Sequence, residues 1–112
     1  MDLWYQVSDL EAARSFYTNQ LGFEQVYEDE EGRWIRLKRN VVELSLAEGE
    51  FSGEAAGEDV VAAVDVDDLK AEAERLRESG VNVGVILEIP GTIRLLDVFD
   101  PDGNRIQLSE EL

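Results

Sequence analysis

Apolar and polar positions alternate along this chain, and the period of the alternation changes several times. Residues 3–7 alternate with a period of two and predict a short strand. From Leu10 the spacing lengthens: Leu10, Ala13, Phe16, Tyr17 and Leu21 fall on one face of a helix, which Ser8 or Asp9 caps and Gly22 ends. Strand-like segments return at residues 24–27, 34–38 and 41–46, separated by Glu30-Glu31-Gly32 and by Arg39-Asn40, which suit tight turns. Residues 47–58 carry Gly49, Gly53 and Gly57 among small and acidic side chains, have no period, and predict a linker. The plan then starts again. A strand is predicted at residues 59–66 and a helix at 69–79, with Leu69, Ala73, Leu76 and the stem of Arg77 inward and Gly80 as its stop. Strands follow at residues 82–88, 92–99 and 105–109, divided by Ile89-Pro90-Gly91 and by Asp100-Pro101-Asp102-Gly103. Pro-Asp-Gly turns the chain because Pro fixes φ and Gly tolerates positive φ.

The two halves also match in wording. Asp9-Leu10-Glu11-Ala12 recurs as Asp68-Leu69-Lys70-Ala71, and Asn40-Val41-Val42-Glu43-Leu44-Ser45 recurs as Asn104-Arg105-Ile106-Gln107-Leu108-Ser109 with four matches in six. The pattern therefore predicts an α+β fold of two tandem βαβββ modules within a single domain, 1–112. Module 1 covers residues 1–46, the linker 47–58 and module 2 59–112. With 112 residues and 44% hydrophobic content, there is room for one ordinary domain and no more.

Composition removes several classes of function. The chain has no Cys and no His, so disulfides, zinc fingers, thiolate nucleophiles, imidazole metal sites and the usual catalytic triads are absent. Its 26 acidic and 10 basic side chains give a net charge of −16, which argues against nucleic acid and anionic membranes as partners and would steer a cation toward the surface. The start, Met1-Asp2-Leu3-Trp4, lacks the pattern of a signal peptide, and no apolar run reaches the ~20 residues of a membrane span. The expectation is a cytoplasmic protein.

The stretch from Val7 through Tyr17 to Leu21-Gly22-Phe23, the closing Asp100-Pro101-Asp102-Gly103-Asn104-Arg105-Ile106-Gln107-Leu108 and the doubled βαβββ plan resemble the vicinal oxygen chelate superfamily of glyoxalase I, bleomycin resistance proteins and extradiol dioxygenases. The resemblance covers essentially the whole chain. It implies mixed sheets curled around a shared cavity, completed in a homodimer. It also implies metal-ligand positions on the first and last strands of each half. Here those positions are Asp2 and Val61, each seven residues before the helix-opening aspartate, together with Glu43 and Gln107. Family members usually carry His or Glu there. Val61 has no donor atom, and the non-haem iron triad needs two imidazoles, so an iron dioxygenase is excluded. No cofactor is expected, and the oxygen set of Asp2, Glu43 and Gln107 would hold at most a weakly bound Mg²⁺ or Mn²⁺.

Residues two apart on a strand share a face. The face of Asp2 therefore brings Trp4 and Gln6, that of Glu43 brings Val41 and Ser45, and that of Gln107 brings Arg105 and Ser109. Trp34 and Arg36 join them if Ile35 and Leu37 face the helix. The strand at 92–99 has two readings: Ile93-Arg94-Leu95 echoes Ile35-Arg36-Leu37, whereas the family register turns Leu95 and Asp97 inward. Trp4 and Trp34 are either core aromatics or ligand walls, and Arg36 with Glu43 is either a cross-strand ion pair or part of a site. The functional expectation is a metal-independent protein that binds a planar or cationic small molecule through Trp4, Trp34, Arg36, Glu43, Asp97 and Gln107, as the resemblance to bleomycin resistance proteins implies. The alternative is a metal-dependent lyase, isomerase or epimerase in which Glu43 is ligand or base.

Overall fold

The computed structural model describes residues 3–49 and 61–112. Helix-opening aspartates set the start of both helices. Asp9 accepts a hydrogen bond from the Ala12 amide at 3.2 Å and Asp68 one from the Ala71 amide at 3.1 Å, each satisfying an amide that the first turn leaves without a partner. A second carboxylate reinforces each cap from the last strand of the same half. Glu48 accepts from the Leu10 amide at 3.1 Å, and Glu110 from the Leu69 amide at 3.0 Å. Caps of this kind contribute about 1 kcal/mol each.

The chain forms two compact units, residues 1–61 and 62–112. In the first, β1 (Trp4–Val7), β2 (Glu24–Glu28), β3 (Trp34–Arg39) and β4 (Val42–Glu48) make a sheet of order β1-β4-β3-β2, in which β1 and β4 run parallel and the other neighbours antiparallel. The alternation decides which face is covered. Tyr5, Val7, Ile35, Leu37, Leu44 and Leu46 are buried, together with Leu10 and Ala13 of α1 (Leu10–Ser15). Fully burying each large aliphatic of such a set contributes about 1.5–3 kcal/mol.

The predicted first helix is corrected in its second half. After Ser15 the chain continues as a π-helical turn, Phe16–Gln20, before Gly22 takes the left-handed φ of 68° that ends it. Tyr17 and Leu21 are buried as the spacing predicts, whereas Phe16 is half-buried, edge-on to Tyr17 at 5.4 Å. Arg39 fixes this end by donating to the Leu21 carbonyl at 2.7 Å.

The second unit repeats the order with β5 (Ala62–Asp65), α2 (Leu69–Glu78), β6 (Asn82–Val83), β7 (Leu87–Ile89), β8 (Ile93–Phe99) and β9 (Arg105–Glu111). Its sheet runs β5-β9-β8-β6, with β7 also on β8. Leu69, Ala73 and Leu76 of α2 are buried with Val64, Leu96, Val98, Ile106 and Leu108. Arg77 is exposed and donates to the Gly84 carbonyl, so its stem is not part of this core. The single strand expected at 82–88 is two strands, because residues 84–86 leave the ladder between them. The expected linker also begins too early: Ala47 and Glu48 belong to β4, and Ala47 is buried. The rest of that linker, apart from Gly49, and the first residues of the predicted strand at 59–66 lie outside the described residues.

The β8–β9 turn is held by Asp100, a buried carboxylate that accepts from the Asp102 amide (2.9 Å), the Asn104 amide (2.8 Å) and the Asn104 side chain (2.9 Å). Such a group is stable inside only because its lone pairs are used. At the sheet edge, Arg94 donates to Glu88 at 2.5 Å and lies 3.5 Å from Glu110. The hydrogen bond and charge of Arg94 hold the Glu88 carboxyl below its usual range. Among the described residues no helix is long and apolar enough to cross a membrane.

Candidate functional site

Among the described residues, each sheet turns one face toward the helix of its own unit and leaves the other without one. On the first sheet the strand register places Trp4 beside Ser45, Ser45 beside Arg36, and Arg36 beside Tyr27. Trp34 stands on the same face of β3, two residues from Arg36 and opposite Ala47. The ring centroids of Trp4 and Trp34 are 5.0 Å apart and tilted by 60°, and Tyr27 lies 4.9 Å from Trp34 at 33°. The Arg36 guanidinium carbon is 5.7 Å from the Trp34 ring centre, and its Nε donates to Ser45 Oγ at 3.5 Å. Both tryptophans of the chain therefore stand together on the helix-free face rather than in the core, and both are half-buried.

Tyr27 escaped the sequence reading. Its strand shifts register between Gln25 and Tyr27, a bulge that breaks strict alternation and carries Tyr27 to the Arg36 side while Val26 remains exposed. The aromatic Tyr27 in a strand otherwise made of polar and small apolar residues was the available signal. Glu43 shares this face but stands one rung away, opposite Lys38, and is exposed. The expected alternative of an Arg36–Glu43 ion pair is corrected: Arg36 faces Ser45, and among the described residues no carboxylate lies within ion-pair distance of it.

On the second sheet β8 adopts the register that turns Leu95 and Asp97 to the helix-free face, since Leu96 and Val98 are buried. The echo of Ile35-Arg36-Leu37 in Ile93-Arg94-Leu95 does not carry over to structure. Here the polar groups bond one another: Gln107 donates to Asp97 at 3.4 Å, Arg105 lies 3.6 Å from Asp97, and Ser109 donates to Asp65 at 2.8 Å. Leu87 and Leu95 are partners on this face. A separate notch of about 260 Å³ is lined by Asp65, Val66, Asp67, Glu110 and Glu111. It offers four carboxylates and no lining cation.

Counting from the glutamate that caps each helix, Ser45 matches Gln107 and Arg36 matches Asp97, so the two halves are related two residues out of step with the repeated Asn40 and Asn104 phrases. The turns explain the offset. Arg39 pairs with Val42 across two residues, the first being Asn40 at φ 54°, whereas Phe99 pairs with Arg105 across the longer Asp100 turn. Glu43 and Gln107 consequently occupy different rungs of their sheets.

The resident metal that the resemblance implies does not fit the donors. Asp2 lies outside the described residues, Val61 has no donor, and the Gln107 amide nitrogen is on Asp97. Among the described residues no three carboxylates converge as a metal-holding group would require, and the chain has no imidazole or thiolate.

Among solved structures, the chain is similar to TnmS3, an antibiotic binding protein from Streptomyces sp. CB03234, at 28% identity and a TM-score of 0.74, covering 100% of this chain and 96% of that one. It is similar to lactoylglutathione lyase from Agrobacterium tumefaciens at 21% identity and a TM-score of 0.75, covering 98% and 91%. The fosfomycin resistance protein FosX from Listeria monocytogenes shares its fold at 17% identity and a TM-score of 0.78, covering 100% and 92%. A comparison with curated proteins finds no match. The model of one family matches residues 3–108, both βαβββ units included. On that match the chain belongs to the Glyoxalase/Bleomycin resistance protein/Dioxygenase superfamily.

Proposed function

We propose that this protein binds a planar aromatic small molecule on the helix-free face of its first sheet, without a metal. The observation that carries the reading is the cluster of Trp4, Trp34 and Tyr27 at ring separations of 5.0 and 4.9 Å, on the sheet face opposite the helix of their own unit. Tilted indole and phenol rings offer a ligand stacking area at little conformational cost, and a few placed polar groups fix its orientation. Arg36, Ser45 and Glu43 are the polar groups here. Similarity to an antibiotic binding protein supports a binding role. The second-sheet groups Asp97 and Gln107 already satisfy one another, so their share in affinity is secondary.

Self-association is part of the same proposal. Val85, Leu87 and Ile89 are exposed apolar side chains along one stretch of the second unit, and a homodimer would remove such a stretch from water. Sedimentation equilibrium tests this, and a monomer at tens of micromolar would overturn it.

Both tryptophans are on the proposed face, so intrinsic fluorescence reports directly on occupancy. A panel of planar aromatic compounds, antibiotics included, should contain members that quench it saturably, with and without chelator. Absence of saturable quenching across the panel would overturn the reading. Turnover of a hemithioacetal that chelator abolishes would put the lyase reading, with Mg²⁺ or Mn²⁺ near Glu43, in its place.

A further inference from the structure

We propose that the ligand's ring carries an anionic oxygen, a carboxylate or phenolate, and that Arg36 receives it. This inference deepens the aromatic-face reading and rests on it. Its starting point is a contrast among the cations of a strongly acidic chain. With 26 carboxylates to 10 basic groups, a guanidinium without a carboxylate partner is not the expected outcome. Arg14 pairs with Glu11 and Glu28, Arg33 with Glu31, Arg94 with Glu88 and Glu110, and Arg105 with Asp97, while Arg39 and Arg77 donate to the Leu21 and Gly84 carbonyls.

Strand register makes the contrast local. On the same face of β3, Lys38 stands between Glu43 on β4 and Glu24 on β2. One rung along, Arg36 stands between Ser45 and Tyr27, and both are neutral. Ser45 is buried and takes the Nε hydrogen at 3.5 Å, while Trp34 lies under the guanidinium at 5.7 Å. These contacts orient the fork and leave its terminal N–H groups for a partner that the described residues of the first unit do not supply. A guanidinium fork matches a carboxylate in geometry and charge, and stacks beside an aromatic plane. A cationic ligand, which the net charge alone would suggest, meets repulsion from Arg36 at the rings themselves.

The global charge opposes an anion at long range, but at about 0.15 M salt that field is screened beyond ~8 Å, and the adjacent guanidinium decides. The test uses one ring with three charges. Binding of 2-naphthoate, 2-naphthamide and 2-naphthylmethylamine is measured by calorimetry at that ionic strength, on the wild-type chain, Arg36→Gln, Arg36→Lys and Trp34→Ala. The expected result is about tenfold tighter binding of the carboxylate than of the amide, equal to ~1.4 kcal/mol, and weaker binding of the amine. Arg36→Gln should abolish the carboxylate preference, Arg36→Lys should keep part of it, and Trp34→Ala should weaken all probes that bind. Equal affinity for carboxylate and amide, a preference for the amine, or a preference that survives in Arg36→Gln overturns the anion assignment and leaves the aromatic face standing. Failure of all three probes to bind overturns both.

Discussion

The two helix-free faces follow one plan and use it differently. At matching positions the first sheet has Arg36 beside Ser45 and the second has Asp97 beside Gln107. Asp97 engages Gln107 and Arg105 within its own sheet, and Asp65 engages Ser109. Arg36 has a serine and a tryptophan. Where the first sheet carries three aromatic rings, the second carries Leu87, Leu95 and a single ring, Phe99. A face whose polar groups are mutually satisfied contributes to its own stability. A face whose cation lies beside a serine and a tryptophan rather than a carboxylate has recognition capacity left for an anion.

The largest expected effect separates covered from uncovered positions on one strand. Leu96→Ala should cost ~2–5 kcal/mol in urea unfolding, as a fully buried leucine does, and Leu95→Ala less than about 1 kcal/mol. Equal costs would break the assigned register of β8 and with it the match of Arg36 to Asp97. Next, Asp100→Ala should destabilise by about 1–3 kcal/mol, because it strands the Asp102 and Asn104 amides in a tight turn. A neutral outcome would show that the turn does not set the offset between the halves.

A smaller effect tests the contrast of the two faces directly. Asp97→Ala should lower stability by about 0.5–1.5 kcal/mol, while Arg36→Gln should stay within ~0.5 kcal/mol of wild type. Reversal would mean that Arg36 is the structural group. The smallest effect concerns Glu88, whose carboxyl Arg94 holds below the usual value. Its contribution is complete above the ordinary Glu pKa of about 4.3 and is lost as pH falls through the lowered one. Glu88→Gln should therefore shift the urea midpoint slightly at pH 7 and not below both values, where wild type and variant converge. A difference that persists there would assign the effect to packing.

Much of this was legible from residues. Helix-opening Asp9 and Asp68, the stops at Gly22 and Gly80 and the period-two segments located the elements, because caps and alternation are local. The faces of Trp34 and Arg36 followed from Ile35 and Leu37, and that of Trp4 from its spacing to Asp2. What escaped was non-local. The bulge that turns Tyr27 toward Trp34 depends on β3, and the π-helical turn at Phe16–Gln20 has no single-residue signal. The repeated Asn40 and Asn104 phrases misplaced the rungs by two residues, since turn length and not wording sets register.

The central claim is that ring recognition resides on the first sheet. The most direct test compares the affinity of a neutral planar probe, 2-naphthamide, for Trp34→Ala and Asp97→Ala with that for wild type, each variant being checked for native circular dichroism. The account predicts a loss of about tenfold or more in Trp34→Ala, the range of a ~1.4 kcal/mol stacking contribution, and a change within threefold in Asp97→Ala. Unchanged affinity in Trp34→Ala together with a large loss in Asp97→Ala would contradict it.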